Sequence, residues 1–262
     1  MRFSQIGVIP PEGKIFFVEN FDGKKLDKVF FFVPSRYREL AEAIVHFRYS
    51  VFELKSVIDY LNYELEKSVS KIVFLDVGAN QGLYSIFFLQ NGFRSIACEG
   101  NHDTVSILKI NYLLNGHSEK DVIDKWVVPS LNSSYTYLNS ESQLTNGLAM
   151  TQIQSNHDDK SMVTLNYLLE EFHPRVLKID IEGLDVDLLL SAERASLAYV
   201  DYLIIELEFG SGPAKMLYQF LEECNFKLFR EFDLNSNIIK TVNSGVGNAH
   251  FVKEKWRTNY EV

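Results

Sequence analysis

The chain has 262 residues, of which 46% are hydrophobic and 23% are charged, a composition typical of a packed globular protein. Its formal net charge of −9 and the lack of a dense Lys/Arg run argue against a general nucleic-acid binder. Two cysteines exclude a disulfide framework or a cysteine zinc site. No run approaches the roughly 20 apolar residues of a membrane span, and the first residues lack a signal-peptide pattern, so a cytoplasmic protein is expected.

Residues 1–70 are predicted to form an N-terminal extension made of a β-hairpin and a helical segment. Apolar runs at 15–18 and 29–33 flank Asp22-Gly23, a pair that favours a tight turn. Apolar residues then recur at three- and four-residue steps up to Leu61, as on one buried helix face. Phe30 to Phe32 place rings on both faces of the second strand, so we expect a covering layer. The extension is therefore predicted to cover the active site or to form a homodimer surface.

From residue 71 to residue 262 the pattern alternates between short apolar strands and helices. Strands are predicted at 72–76, 94–98, 122–128, 175–180, 202–208, 226–232 and 248–253, and helices at 82–91, 102–115, 163–171, 184–193 and 213–224. Such alternation indicates parallel strands covered on both faces. The last two strands have no helix between them, which predicts an antiparallel pair at one edge. The predicted fold is an α/β, Rossmann-like doubly wound sheet of seven mostly parallel strands with an antiparallel edge strand.

Residues 130–160 are rich in Ser, Asn, Thr, Gln and Tyr and show no clear period. Long irregular segments inside a compact domain are often functional, so we interpret this one as a lid or substrate loop. A polar surface excursion is the alternative. Tyr135, Tyr137 and Asn139 either line a sugar-binding surface or pack against the domain. His157, beside two acids, is a candidate contact for an acceptor or metal, and a solvated loop histidine is the alternative.

Residues 76–82, with the sequence Asp-Val-Gly-Ala-Asn-Gln-Gly, follow the first strand of this domain. Asp76, Glu99 and Asp180 stand at three strand ends, where an open α/β sheet binds its ligands. Glycine lets a ligand approach the backbone, and Glu99 is placed to take both hydroxyls of a ribose. The glycine spacing is not the dinucleotide fingerprint, and Asp76 would repel a pyrophosphate, which disfavours NAD. An acid at this place suits a ligand with an ammonium and a sulfonium group, such as S-adenosylmethionine.

The turn at 76–82 resembles the first motif of class I S-adenosylmethionine-dependent methyltransferases. The run Leu-Lys-Ile-Asp-Ile-Glu-Gly at 177–183, with Val-Thr-Leu at 163–165, is similar to the FkbM family among them. The resemblance spans roughly residues 71–209 and implies a set of cofactor contacts, namely Asp76, Gly78, Ala79, Asn80, Gly82, Glu99 and Asp180. It places Glu99 on the ribose, Asp180 beside the transferred methyl group and Glu182 just beyond it. Asn166 and Gly100 stand where the family usually has an acid and a proline.

An aliphatic hydroxyl becomes a good nucleophile only as its proton leaves, so a general base is expected. Asp180 is the first candidate, and Lys178 shares its strand face because side chains alternate with a period of two. Lys178 is predicted to stabilise the charged carboxylate or to orient the acceptor, with a snorkelling lysine as the alternative. Glu182 and His157 complete the candidate catalytic set. With Asp180 they could hold a divalent ion, but nothing in their spacing requires a metal.

The sequence therefore predicts an S-adenosylmethionine-dependent O-methyltransferase. The acceptor class, a hydroxyl of a sugar, a polysaccharide precursor or a secondary metabolite, is what the family resemblance implies. N- or carboxyl-methylation of a small molecule is one alternative. A non-catalytic partner protein that keeps the fold is another, which the intact set of glycines and acids argues against.

Overall fold

The computed structural model describes residues 12–21, 24–34, 54, 57–58, 61, 72–132, 135–139, 148–152, 161–181, 183–233, 238–239 and 245–253. The strands are β1 Gly13–Phe21, β2 Lys24–Pro34, β3 Val73–Val77, β4 Arg94–Glu99, β5 Val122–Asp124, β6 Trp126–Val128, β7 Tyr135–Asn139, β8 Leu148–Gln152, β9 Met162–Thr164, β10 Val176–Ile179, β11 Tyr202–Phe209, β12 Phe226–Asp233 and β13 Gly245–Lys253. The helices are α1 Leu83–Gln90, α2 His102–Leu114, α3 Leu165–Phe172, α4 Asp185–Leu190 and α5 Gly212–Glu223.

Seven of these strands form the central sheet, in the order β12-β13-β11-β10-β3-β4-β5. β3, β4, β5, β10 and β11 run parallel, and β13 is antiparallel to both of its neighbours. The predicted doubly wound, mostly parallel sheet is confirmed. The chain inserts β13 between β11 and β12, so the antiparallel pair closes one side of the sheet and β12 is the outer strand.

The strand order reverses between β3 and β10, which are hydrogen-bonded neighbours at the centre of the sheet. Their side chains are buried on both faces, which explains the nearly continuous apolar runs. Two charged residues interrupt these runs. Asp76 and Lys178 are partners in the strand register and are both buried. Since ligands of such sheets bind beyond the carboxyl ends at the reversal, this pair marks the floor of the expected site.

The predicted strand at 122–128 is two strands that belong to different sheets. β5 ends the central sheet at Asp124, and β6 pairs with β9 in a separate parallel pair. The break falls on Asp124 and Lys125. The Asp124 carboxylate reaches the ring of His102 at 3.1 Å on the surface, so the chain leaves the apolar layer here before it returns at Trp126.

Within residues 130–160, strands β7 and β8 form an antiparallel pair. Tyr135 lies opposite Gln152, and Asn139 lies opposite Leu148. The sequence analysis did not predict these strands, because their polar residues obscure the alternation of apolar and polar side chains that is typical of a strand. His157 and the segments 140–147 and 153–160 lie outside the described residues, and the role as a lid stays a prediction.

The N-terminal hairpin is confirmed: β1 and β2 pair antiparallel from Gly13 and Pro34 to Phe21 and Lys24. The turn residues 22–23 are outside the described residues. Val29, Phe31 and Val33 pack in one cluster with residues of α1 and α2, and Phe32 packs separately on α2. The domain's own helices therefore supply the covering layer that the phenylalanines required. No helix in the described part of the chain is long and apolar enough to cross a membrane.

Candidate active site

The turn after β3 has a backbone that favours glycine at two of its positions. Gly78 and Gly82 have φ of 79° and 91°, and Asn80 has φ of 52°. A Cβ on Gly78 would lie 1.7 Å from the carbonyl oxygen of Asp180, and one on Gly82 would lie 2.5 Å from Leu108 Cδ1. The turn is thus clamped between the end of β10 and helix α2. A side chain at Gly78 would collide with the Asp180 backbone, and one at Gly82 would meet Leu108 in a backbone conformation that favours glycine.

Glu99 at the end of β4 is held by backbone amides on both carboxylate oxygens. Asn80 N–H donates to Oε2 at 2.9 Å, and Asn101 N–H donates to Oε1 at 2.8 Å. Burial raises the pKa of Glu99, and these hydrogen bonds oppose that shift. The Gly100 backbone adds a third hydrogen bond. A carboxylate has about four acceptor positions, so these backbone partners leave capacity for a ligand hydroxyl.

Lys178 joins the floor of the site to its candidate base. Its Nζ lies 2.9 Å from Asp180 Oδ2 and 3.7 Å from Asp76 Oδ1. The predicted contact between Lys178 and Asp180 is present, but the residue is 2% exposed, so it is a buried ion-pair partner and the snorkelling alternative is wrong. The ammonium also lies 4.9 Å from the centre of the Tyr84 ring.

Asp76 lies beneath the turn, with no exposed surface. Its Oδ2 accepts hydrogen bonds from Ser85 N–H at 3.1 Å and from Ser85 Oγ at 2.6 Å. Burial raises the pKa of Asp76, and the ammonium of Lys178 opposes that shift. The side chain is therefore buried beneath the turn, where it contacts Lys178 and helix α1.

Asp180 is the exposed member of this group, with 32% of its side chain accessible. Its N–H donates to the carbonyl of Val77 at 3.0 Å, which holds the acid beside the glycine turn. The structure thus brings Asp76, Lys178 and Asp180 together as predicted for strand ends at the sheet reversal. Glu182 and His157, the other catalytic candidates, lie outside the described residues.

The sequence did not reveal Asp185, which fastens the loop after β10. The buried carboxylate accepts hydrogen bonds from Ile181 N–H at 2.7 Å and from Gly183 N–H at 3.1 Å. Burial, with the charge of Asp180 added, raises the pKa of Asp185 to about 6. An acid two residues after a glycine at a helix start is the pattern that could have indicated it.

Two family positions that differ in this chain have distinct local roles. A Cβ on Gly100 would lie 2.0 Å from Trp126 Cδ2, so the indole fills the space beside the residue that follows Glu99. Asn166 donates to the Ser191 carbonyl at 3.3 Å and accepts from Glu193 N–H at 2.8 Å, so it fastens the turn after α4.

Two buried residues near the central sheet have structural contacts. Cys98 is buried in β4, and its carbonyl accepts from the Gly78 and Ala79 amides at 3.0 Å each. His250 is buried and lies 2.6 Å from the Tyr202 hydroxyl. Within the described ranges, no group of three or more His, Cys, Asp or Glu side chains is arranged to hold a metal ion.

The sequence around this site matches a known protein family. A family model described as the methyltransferase FkbM domain matches residues 76–228. No curated protein matches the sequence.

Solved structures match the chain at low identity. WbdD is 11% identical, with a TM-score of 0.45 over 78% of this chain and 40% of its own. Magnesium protoporphyrin IX methyltransferase from Synechocystis, with bound S-adenosylmethionine, is 11% identical, with a TM-score of 0.43 over 77% of this chain and 78% of its own. A TehB-like S-adenosylmethionine-dependent methyltransferase from Corynebacterium glutamicum is 15% identical, with a TM-score of 0.42 over 83% and 94%.

Proposed function

The chain belongs to the methyltransferase FkbM domain family, and we propose that it is an S-adenosylmethionine-dependent O-methyltransferase. Methyl transfer follows from the family. The proposed acceptor is a hydroxyl of a sugar, a polysaccharide precursor or a secondary metabolite. The observation that carries the proposal is the position of Asp180, a partly exposed carboxylate held directly against the glycine turn.

The turn and Glu99 fit the polar groups of S-adenosylmethionine. The backbone of residues 78–82 is proposed to hold the methionine part, and the Glu99 carboxylate to take the ribose hydroxyls. Asp76 lies below the turn, where it contacts Lys178 and Ser85. When bound, the cofactor supplies an electrophilic methyl group.

Trp126 is proposed to form one wall of the adenine site. The indole lies against Gly100, the residue that follows the ribose acid, and is only partly buried. An aromatic face beside a nucleoside site stacks on the base, and such stacking is worth about 1–3 kcal/mol per base.

Asp180 is proposed to take the proton of the acceptor hydroxyl. The ammonium of Lys178 lies 2.9 Å from Asp180 Oδ2 and engages that oxygen of the carboxylate. Lys178 also fixes the direction of the carboxylate, so that one oxygen is engaged and the other is left to face an acceptor. General-base help of this kind contributes typically about 10²–10⁴ in rate.

The cofactor is tested by calorimetric titration with S-adenosylhomocysteine, with NAD as the control ligand. We expect micromolar binding of the homocysteine compound, no binding of NAD, and at least about tenfold weaker binding to Glu99→Ala, since two hydroxyl contacts are lost. In a Trp256→Phe background, binding should quench the fluorescence of Trp126. Failure of folded wild-type protein to bind S-adenosylhomocysteine would contradict the proposal.

The acceptor is tested by turnover with nucleotide sugars, beside amine and carboxylate compounds of similar size. Asp180→Asn should keep its affinity for S-adenosylhomocysteine within about threefold and lose at least about 100-fold in turnover. Transfer to the amine or carboxylate set alone would replace the O-methylation proposal. Loss of cofactor affinity in Asp180→Asn would assign Asp180 to binding.

A further inference from the structure

Two asparagines, Asn111 on α2 and Asn115 at its C-terminal cap, hold strand β2 by its backbone. Asn115 accepts from Phe30 N–H at 2.8 Å and donates to the Phe30 carbonyl at 2.6 Å. Asn111 accepts from Phe32 N–H at 2.6 Å. Residues four apart share a helix face, and residues two apart share a strand edge, so the spacings match. The two amides replace a neighbouring strand along β2.

Asn111 makes a second contact, which Asn115 does not share. Its Nδ2 donates to the carbonyl of Gln81 at 2.9 Å. The side chain is fully buried, and only one orientation of the amide satisfies both Phe32 N–H and the Gln81 carbonyl. One side chain thus bridges the N-terminal hairpin and the turn that is proposed to hold the cofactor.

The bridged carbonyl controls the direction of the turn's amides. A peptide unit is planar, so fixing the Gln81 carbonyl fixes the N–H of Gly82, which donates to Ala79 at 2.9 Å. The flanking residues Asn80 and Gly82 both have positive φ, and Asn80 N–H is a donor to Glu99. A change at Asn111 therefore alters the turn whose Asn80 amide contacts Glu99, the proposed ribose ligand.

We propose that Asn111 is a positioning residue that couples docking of the β1–β2 hairpin to the ligand-binding form of the glycine turn. The hairpin aligns Asn111, and Asn111 aligns the Gln81 carbonyl. Coupling of this kind is reciprocal, so a ligand on the turn stabilises the docked hairpin by the same factor. The part of this inference that concerns the ligand rests on the proposed function.

The first test needs no ligand and compares Asn111→Asp with Asn115→Asp. Asn111→Asp keeps an acceptor for Phe32 N–H and puts an oxygen where Nδ2 donated to Gln81. Asn115→Asp is the matched change at the C-terminal cap of that helix, since Asn115 contacts β2 but not the turn. Hydrogen exchange of the Asn80 and Gly82 amides should be about tenfold faster in Asn111→Asp and within about twofold of wild type in Asn115→Asp. Equal effects of the two variants, or no effect of either, would overturn the inference.

The second test uses S-adenosylhomocysteine as the probe. Asn111→Asp should bind it about tenfold more weakly by calorimetry, and Asn115→Asp within about twofold of wild type. In the wild-type protein, which also serves if Asn111→Asp does not fold, saturating ligand should slow exchange of the Phe30 and Phe32 amides. Protection of the turn without protection of β2 would overturn the coupling. A wild-type protein that binds no S-adenosylhomocysteine would refute the proposed function alone, and exchange of the turn amides would still decide the role of Asn111.

Discussion

At the scale of single residues, the site depends on one buried lysine. Lys178 is the cation between Asp76, which is fully buried, and Asp180, which is partly exposed. Breaking a buried pair by removing one partner costs about 3–5 kcal/mol, whereas replacing both partners by neutral groups is often tolerated. The contribution of Lys178 to stability can therefore be measured separately from its proposed contribution to catalysis.

We predict that Lys178→Met loses about 3–5 kcal/mol of unfolding free energy, because the Asp76 carboxylate is left buried without its cation. The double variant Lys178→Met/Asp76→Asn should recover at least about half of that loss in chemical denaturation. Its turnover should stay as low as that of the single variant, since Asp180 still lacks the ammonium. Recovery of turnover together with stability would show that Lys178 serves the fold alone.

Asp185 gives a stability term with a defined pH dependence. The pKa of Asp185 is raised to about 6, above the ~3.9 of an unfolded aspartate. The folded protein keeps this proton where the unfolded chain has lost it. The contribution of Asp185 to stability is therefore complete below about pH 3.9 and is lost as the pH rises through about 6.

Between about pH 4.5 and 7.5, the unfolding free energy of Asp185→Asn should thus rise by about 2 kcal/mol relative to that of the wild type. Asp187→Asn removes an exposed charge from the same helix and serves as the control. A wild-type-minus-variant difference that is the same at both pH values would contradict the assigned cause, which is burial of the Asp185 carboxylate beside Asp180.

At the scale of elements, the spacing of apolar residues and the turn residues predicted most of the sheet and its helices. The strands β3, β10 and β11 were predicted because they are buried on both faces and therefore consist of apolar runs. The same reasoning missed the break at Asp124 and Lys125, where one polar pair turns the chain into another sheet. It placed Asp76, Lys178 and Asp180 together, since strand ends share an edge. It could not find Asn111, whose partner Phe32 is 79 residues away, because a polar residue on a helix does not show what it meets.

At the scale of the whole molecule, the described part of β2 is buried in the domain, whereas β1 carries an exposed apolar side chain. Phe31 of β2 is 3% exposed within the cluster that includes α1 and α2, whereas Ile15 of β1 is 51% exposed. Among the described strands, β1 pairs only with β2. If the extension forms a homodimer, we predict that β1, and not the phenylalanines of β2, provides its surface.

This division predicts opposite outcomes for two substitutions in the hairpin. Phe31→Ala should lose about 3–5 kcal/mol of unfolding free energy, because it leaves a cavity against α1 and α2, and its sedimentation should match that of the wild type. Ile15→Asp should change stability by no more than about 0.5 kcal/mol and should convert a sedimenting dimer to a monomer, since an edge charge blocks strand pairing. A wild-type monomer, or a dimer that Ile15→Asp leaves intact, would remove β1 as the interface, whereas a stable Phe31→Ala monomer would move the interface to β2.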